Sequence, residues 1–327
     1  CMKYRKFSNL GWNVSEIGLG CWAIGGNWVD VSEHDARGVL KEALDKGVNF
    51  FDTADVYGDG RSEKFIGKFI KSISEKIFVT TKTGLRVRPH TPDGYNLKNI
   101  EEFIDRSLIN LGIDCIDLLQ LHCPPPEICS KKETYEMMDE IVKKGKISYY
   151  GVSVFNISEA MDAIRFPNVK SIQMVFNIFR QKPAEVFFKE AKKKNIGIIA
   201  RGPLASGLLT GTIDQDTKFT PNDHRSYNIN GKAFDVGDTF SGVNFKKGLE
   251  AVEKLKDLLP DNFSLTDLAL KWILMHDEVS VVIPGATNKS QVQMNTHASD
   301  LEEISSLLPK INSIYDELIK PDVHNRW

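Results

Sequence analysis

The stretch VNFFDTADVYGDGRSEKFIGKFIKSISEKIFVTTK, residues 48–82, contains a complete strand–helix–strand unit. Residues 48–51 are apolar and β-prone and run into Asp52. Residues 62–71 space their apolar side chains as a helix does, and residues 76–82 return to a β-rich run that ends on Lys82. Two strands joined through a helix lie parallel when they share a sheet, because a crossover of that length returns the chain to the same edge. The same unit recurs on both sides. Upstream, residues 17–19 predict a first strand and residues 32–46 a helix, with Ser32 as N-cap and Gly47 closing it. Downstream, strands are expected at 115–121, 147–152, 170–175, 197–200 and 279–283. Helices are expected at 99–111, 132–144, 157–164, 184–194 and 264–276.

Eight strands in β-then-α order suit either an open doubly wound sheet or a closed barrel. The count of eight favours the (β/α)8 TIM barrel. So does the lack of a GxGxxG turn after the first strand, which a dinucleotide-binding open sheet requires. Residues 3–14, broken by Asn9, Leu10 and Gly11, predict an N-terminal hairpin able to plug the barrel floor. Two extra helices are expected at 246–259 and 300–319. Residues 210–244, rich in Gly, Asp and Asn, exceed ordinary loop length and read as a lid or binding loop. With no internal repeat or low-complexity linker, the chain reads as a single domain, residues 1–327.

Composition narrows the function. A hydrophobic content of 41% and a charged content of 26% are those of a globular protein. A net charge of −2 creates no basic field for nucleic acid or anionic lipid. No apolar run approaches the ~20 residues that span a bilayer. The first residues lack the apolar core of a secretory signal, and five scattered cysteines suggest no disulfide framework, so a cytoplasmic protein is expected. Cys123 and Cys129 fit no zinc spacing, and no metal is expected.

In a barrel of this kind chemistry gathers at the C-terminal ends of the strands. Asp52, Lys82 and His122 each close a strand there, and Tyr57 lies five residues beyond Asp52. A phenol is a weak acid, with a pKa of ~10. An ammonium beside it would stabilise phenolate and lower that value, and a carboxylate would hold the ammonium in place. The four residues therefore predict a general acid, Tyr57, tuned by Lys82 and Asp52, with His122 to orient a carbonyl or pass the proton.

These residues and several longer motifs resemble the aldo-keto reductases, in particular the branch with the bacterial inositol-locus reductase and the potassium-channel β-subunits. The motifs are GLG at 18–20, DTADVYG at 52–58, SEKFIG at 62–67 and DLLQLH at 117–122. They continue with KGKISYYGVS at 144–153, GPLASGLLTG at 202–211 and VIPGA at 282–286. The resemblance implies a catalytic tetrad of Asp52, Tyr57, Lys82 and His122. It implies a nicotinamide site with Ser153 and Gln173, where Val154 replaces the usual Asn and Arg201 the usual stacking aromatic; Asn177 is a candidate to replace the missing amide. It places a pyrophosphate along Gly202, Pro203, Leu204, Ser206 and Gly207. It places the adenosine end at Gly285, Ala286, Gln291 and Asn295, with Lys289 in the role of the phosphate-gripping Arg that Gln291 replaces. Trp22 and Trp28 are candidates for the substrate pocket, and His224 and Arg225 for closing over cofactor or substrate. The expected activity is NADPH-dependent reduction of an aldehyde or ketone, with NADH as the other cofactor. The expected partner is a small carbonyl substrate and the expected state a monomer. A cofactor-sensing regulatory subunit is the alternative, and an aldolase using Lys82 as a Schiff-base amine is the third reading.

Overall fold

The structure, a computed structural model, describes residues 1–26 and 30–327. Strands β1 (Tyr4–Phe7) and β2 (Trp12–Ser15) pair as an antiparallel hairpin. The eight strands that follow form one parallel sheet in sequence order. They are β3 (Leu19–Gly20), β4 (Phe50–Asp52), β5 (Phe78–Thr83), β6 (Ile116–His122), β7 (Ile147–Ser153), β8 (Val169–Val175), β9 (Gly197–Arg201) and β10 (Val279–Val282). Parallel bridges from Ile17 to Val282 and from Gly20 to Gly285 join the first strand to the last, so the sheet closes. The fold is the expected TIM barrel with an N-terminal hairpin.

Local signals account for most helices. Ser32 caps the helix Glu33–Asp45 by accepting from the Asp35 N–H at 3.0 Å. Asn96 caps Leu97–Leu111, which ends on Gly112 in the left-handed region. Two expectations need correction. The helix expected at 184–194 is two shorter ones, Lys182–Val186 and Phe188–Lys193. The helix expected at 300–319 begins only at Leu308, with Pro309 in its first turn, where its missing N–H costs nothing; it passes through a π-helical turn at Tyr315–Ile319. The other extra helix spans Phe245–Lys256. Lys289–His297, capped by Asn288, is a helix that apolar spacing did not announce, because its sequence is mostly polar.

The hairpin closes the end of the barrel opposite the polar strand ends. Phe7 and Val14 are fully buried against Phe50, Leu118, Ile199 and Val281 inside the barrel. The Phe7 ring stacks on Phe50 at 5.6 Å, and Gly197 approaches so closely that a Cβ there would lie 2.7 Å from the Phe7 ring. Removing that ring leaves a cavity the closed strands cannot fill. Phe7→Ala is expected to cost about 3–5 kcal/mol in denaturant unfolding, with turnover per folded molecule unchanged. Among the described residues no helix is long and apolar enough to cross a membrane.

Candidate active site

At the C-terminal rim the strand register aligns the polar residues. Asp52 is level with Thr80, Lys82 with Gln120, and Ser153 with both His122 and Gln173. Asp52 on β4 is bonded by Gln173 on β8, and such a contact is possible only through the barrel lumen. Lys82 is fully buried. Its ammonium donates to Asp52 Oδ1 at 2.5 Å, the Thr53 carbonyl at 2.8 Å and the Tyr57 hydroxyl at 3.2 Å. The other carboxylate oxygen of Asp52 accepts from Gln173 Nε2 at 2.8 Å and Gln120 Nε2 at 3.2 Å, and Gln120 also donates to Thr80 Oγ1. The His122 ring meets the Tyr57 ring edge-on at 5.9 Å. All four residues expected to act together therefore lie together.

The electrostatics differ in one respect from the expectation. Burial raises the Tyr57 phenol above its ordinary value, and this outweighs the opposing pull of Lys82, with Asp52 adding to the rise. The phenol is accordingly a firmly protonated group, not one with a lowered pKa. Burial works against the Lys82 charge, yet Asp52 and the Tyr57 oxygen overcome it and raise the ammonium's pKa. His122 is held well below its usual value by burial, then by the Lys82, Arg201 and His90 charges, so the imidazole is neutral at pH 7. Its Nδ1 is buried without a hydrogen-bond partner among the described residues.

Ser153, Gln173 and Arg201 surround this centre. Cys123, next to His122, donates its N–H to the Ser153 carbonyl at 2.9 Å, and its thiol lies 3.7 Å from Ser153 Oγ. Arg201 is ion-paired with Asp238 from the long loop and donates to the Val154 carbonyl at 3.2 Å. Asn177 does not replace the missing amide, because it donates to the Gly202 carbonyl and Ser241 Oγ, both at 2.8 Å. Gln120, Thr80 and Asp238 are contributors that the sequence reading missed. The first two lie two residues before His122 and Lys82, so strand periodicity places them on the same face. Asp238 had no comparable signal.

After β9 the chain folds tightly. Gly202, Ala205, Ser206 and Gly207 all have positive φ, and Pro203 and Leu204 lie within the same turn. Arg225, clasped by Asp223, donates to the Ser206 carbonyl at 3.3 Å, so the long loop returns a cation to this turn. Gly285 is exposed and Ala286 buried beside it. Asn295 donates to the Gly285 carbonyl at 3.1 Å, and Gln291 accepts from the Thr287 N–H at 2.7 Å, with Lys289 exposed on the same turn. Trp22 stands 6.3 Å from Tyr57 and 5.1 Å from His224, at the mouth of the site. Trp28 lies outside the described residues.

The Aldo/keto reductase family model matches residues 16–315. The chain belongs to that family. Aldo-keto reductase YhdN of Bacillus subtilis (strain 168) is 32% identical, with 98% of this chain and 96% of that protein covered. A probable voltage-gated potassium channel subunit beta of Arabidopsis thaliana is 31% identical, with 98% and 97% covered. The holo form of aldo-keto reductase AKR11C1 from Bacillus halodurans superimposes with a TM-score of 0.77 at 27% identity, covering 100% of this chain and 99% of that one. Membership makes this aldo/keto reductase an oxidoreductase of the nicotinamide-dependent kind that acts on small carbonyl compounds.

Proposed function

We propose that this aldo/keto reductase reduces an aldehyde or ketone to its alcohol with NADPH, and that Tyr57 donates the proton. The observation that carries this reading is the sequence of contacts from the half-buried Tyr57 to the buried Lys82 and Asp52. A bound nicotinamide supplies hydride to the carbonyl carbon. Tyr57 gives its proton to the carbonyl oxygen, and the Lys82 ammonium stabilises the phenolate left behind until solvent reprotonates it. Neutral His122 is the wrong protonation state for an acid at pH 7, and its role is to orient the carbonyl by hydrogen bonding. Lys82 is also unsuited to form a Schiff base, because a charged ammonium with its protons engaged is no nucleophile.

The residues present fit a dinucleotide. Polar atoms at the centre, His122 Nδ1 and Arg201 Nε, are buried without a hydrogen-bond partner among the described residues, and the tight turn at 202–207 meets a clasped arginine. Ser153, Gln173 and Arg201 would hold the nicotinamide, the turn and Arg225 the diphosphate, and Gly285, Ala286, Gln291 and Asn295 the adenosine. Trp22 would wall the substrate pocket. Lys289, exposed in the first turn of its helix, supports NADPH over NADH. Five free thiols support a reducing cytoplasm.

The test is cofactor oxidation across a panel of aldehydes, ketones and keto-sugars, with NADPH and NADH in parallel. Turnover of at least one carbonyl is expected, with NADPH preferred, and Lys289→Ala should narrow that preference by about 3- to 10-fold. Tight NADPH binding with no turnover anywhere on the panel would favour a cofactor-sensing regulatory subunit instead.

A further inference from the structure

The loop that carries Tyr57 is held from outside the barrel by two arginines. Arg86, on the loop after β5, donates from Nη2 to the Asp55 carbonyl at 3.0 Å and to the Asp59 carboxylate. Arg106, on the helix Leu97–Leu111, donates from Nη2 to the Asp59 carbonyl and to Asp59 Oδ1, both at 2.8 Å. The two guanidiniums thus share one carboxylate oxygen and bind backbone oxygens on either side of Tyr57. The loop has little freedom of its own. Gly58, Asp59 and Gly60 are consecutive positive-φ residues, and a Cβ on Gly58 would lie 1.8 Å from the Gly25 carbonyl oxygen. Asp55 completes the arrangement from below. Its fully buried carboxylate lies 3.4 Å from Arg86 Nε, and neither oxygen has a hydrogen-bond partner among the described residues.

The geometry points to Arg86 and Arg106 as positioning residues that clamp residues 55–59 and so hold the Tyr57 hydroxyl on Lys82. This inference rests on the reading of Tyr57 as proton donor. Tyr57 is held by its hydroxyl on Lys82, by its N–H on the Ala54 carbonyl, by its own carbonyl, which accepts from the Ser62 N–H at 3.3 Å, and by its ring beside His122 and Trp22. Within these contacts, the path of the backbone that carries the phenol depends on where residues 55 and 59 are fixed on either side. Those two residues are tied to two different elements through groups that touch neither the carbonyl site nor the turn at 202–207. An ion pair to Asp59 alone would be a minor surface contact, since that carboxylate is exposed. The paired backbone contacts and the buried carboxylate give the clamp its directional hold. Burial, and then the neighbouring Glu63, raise Asp55 to about 7, and the charges of Arg86 and Arg106 oppose that rise.

The test compares Arg86→Gln, Arg106→Gln, the double variant and Asp59→Asn with the parent enzyme. Melting temperature, NADPH affinity by cofactor fluorescence, kcat, KM and the solvent isotope effect on kcat are measured for each. Displacing a reacting group by about 1 Å costs on the order of 100-fold in rate. Arg86→Gln is therefore expected to lower kcat about 10- to 100-fold, with NADPH affinity and KM within about threefold. The solvent isotope effect should grow, because proton transfer becomes limiting. The double variant should lose little more than the worse single one, as expected when two residues act on one loop. Asp59→Asn, an exposed change that leaves the fold intact, should fall in the same direction by about 3- to 10-fold, and it decides the matter if Arg86→Gln does not fold. An unchanged kcat in Arg86→Gln or Asp59→Asn, or equal losses of kcat and NADPH affinity, would overturn the clamp. Tyr57→Phe run alongside separates the two failures: full activity there overturns the proton donor, whereas an inactive Tyr57→Phe with a fully active Arg86→Gln overturns the clamp alone.

Discussion

Tyr57→Phe is expected to lower kcat for carbonyl reduction by about 10²- to 10⁴-fold, the range a positioned general acid contributes. The substitution removes one oxygen and keeps the ring that packs against His122 and stands near Trp22. Lys82 retains Asp52 and the Thr53 carbonyl as partners, so neither its charge nor the barrel core is disturbed. NADPH affinity, read by fluorescence titration, should stay within about twofold, because the turn at 202–207 and the residues around Gly285 are untouched. The pH profile of the parent enzyme carries the same argument. Tyr57 and Lys82 are both raised above their ordinary values, and His122 lies well below its own. The kcat for reduction should therefore stay level from about pH 6 to 9 and fall only in alkali, where the phenol loses its proton. A limb near the ordinary histidine value would assign the acid to His122 instead. Full activity in Tyr57→Phe would remove Tyr57 from the mechanism.

Lys82→Met should have the largest effect on stability. A methionine fills similar volume, so the cost is not a cavity. It is the Asp52 carboxylate, left buried with only the Gln173 and Gln120 amides for partners. Breaking a buried pair on one side costs about 3–5 kcal/mol, which denaturant unfolding would show as a large fall in midpoint. The double change Asp52→Asn with Lys82→Met removes both charges and should recover most of that stability while activity stays lost. If the double variant is no more stable than Lys82→Met, uncompensated charge is not the cause. The sign of the pH dependence follows from the raised pKa of Lys82. Its contribution is fully present below the ordinary lysine value of 10.5 and is lost only as pH rises beyond it. The stability difference between parent and variant should therefore be level through neutral pH and narrow in strong alkali.

Much of this was legible in the sequence because it depends on local chemistry. The β-then-α alternation follows from hydrophobic periodicity, and the rim positions of Asp52, Lys82 and His122 follow from where the apolar runs stop. Gln120 and Thr80 follow from the same rule, two residues earlier on the same strand face. The helix at 289–297 is hidden in the sequence because polar residues dominate it, and the last helix starts late, with Pro309 in its first turn.

Other features depend on distances between residues far apart in the chain. That Arg201 pairs with Asp238, and that Arg225 returns to Ser206, follow from the path of a long loop without periodicity. The clamp of Arg86 and Arg106 on Asp59 likewise joins three elements that no spacing rule connects. The pKa direction at Tyr57 is the clearest case. The sequence supplied the lysine that lowers it, but the balance is decided by the burial of the phenol in the folded barrel. By itself the sequence determined the order of strands and helices and the identity of the four rim residues, because propensity and periodicity act over a few neighbours. Only the tertiary structure decided which charges meet, which are desolvated and what holds Tyr57 in place, because those energies depend on packing across the closed barrel.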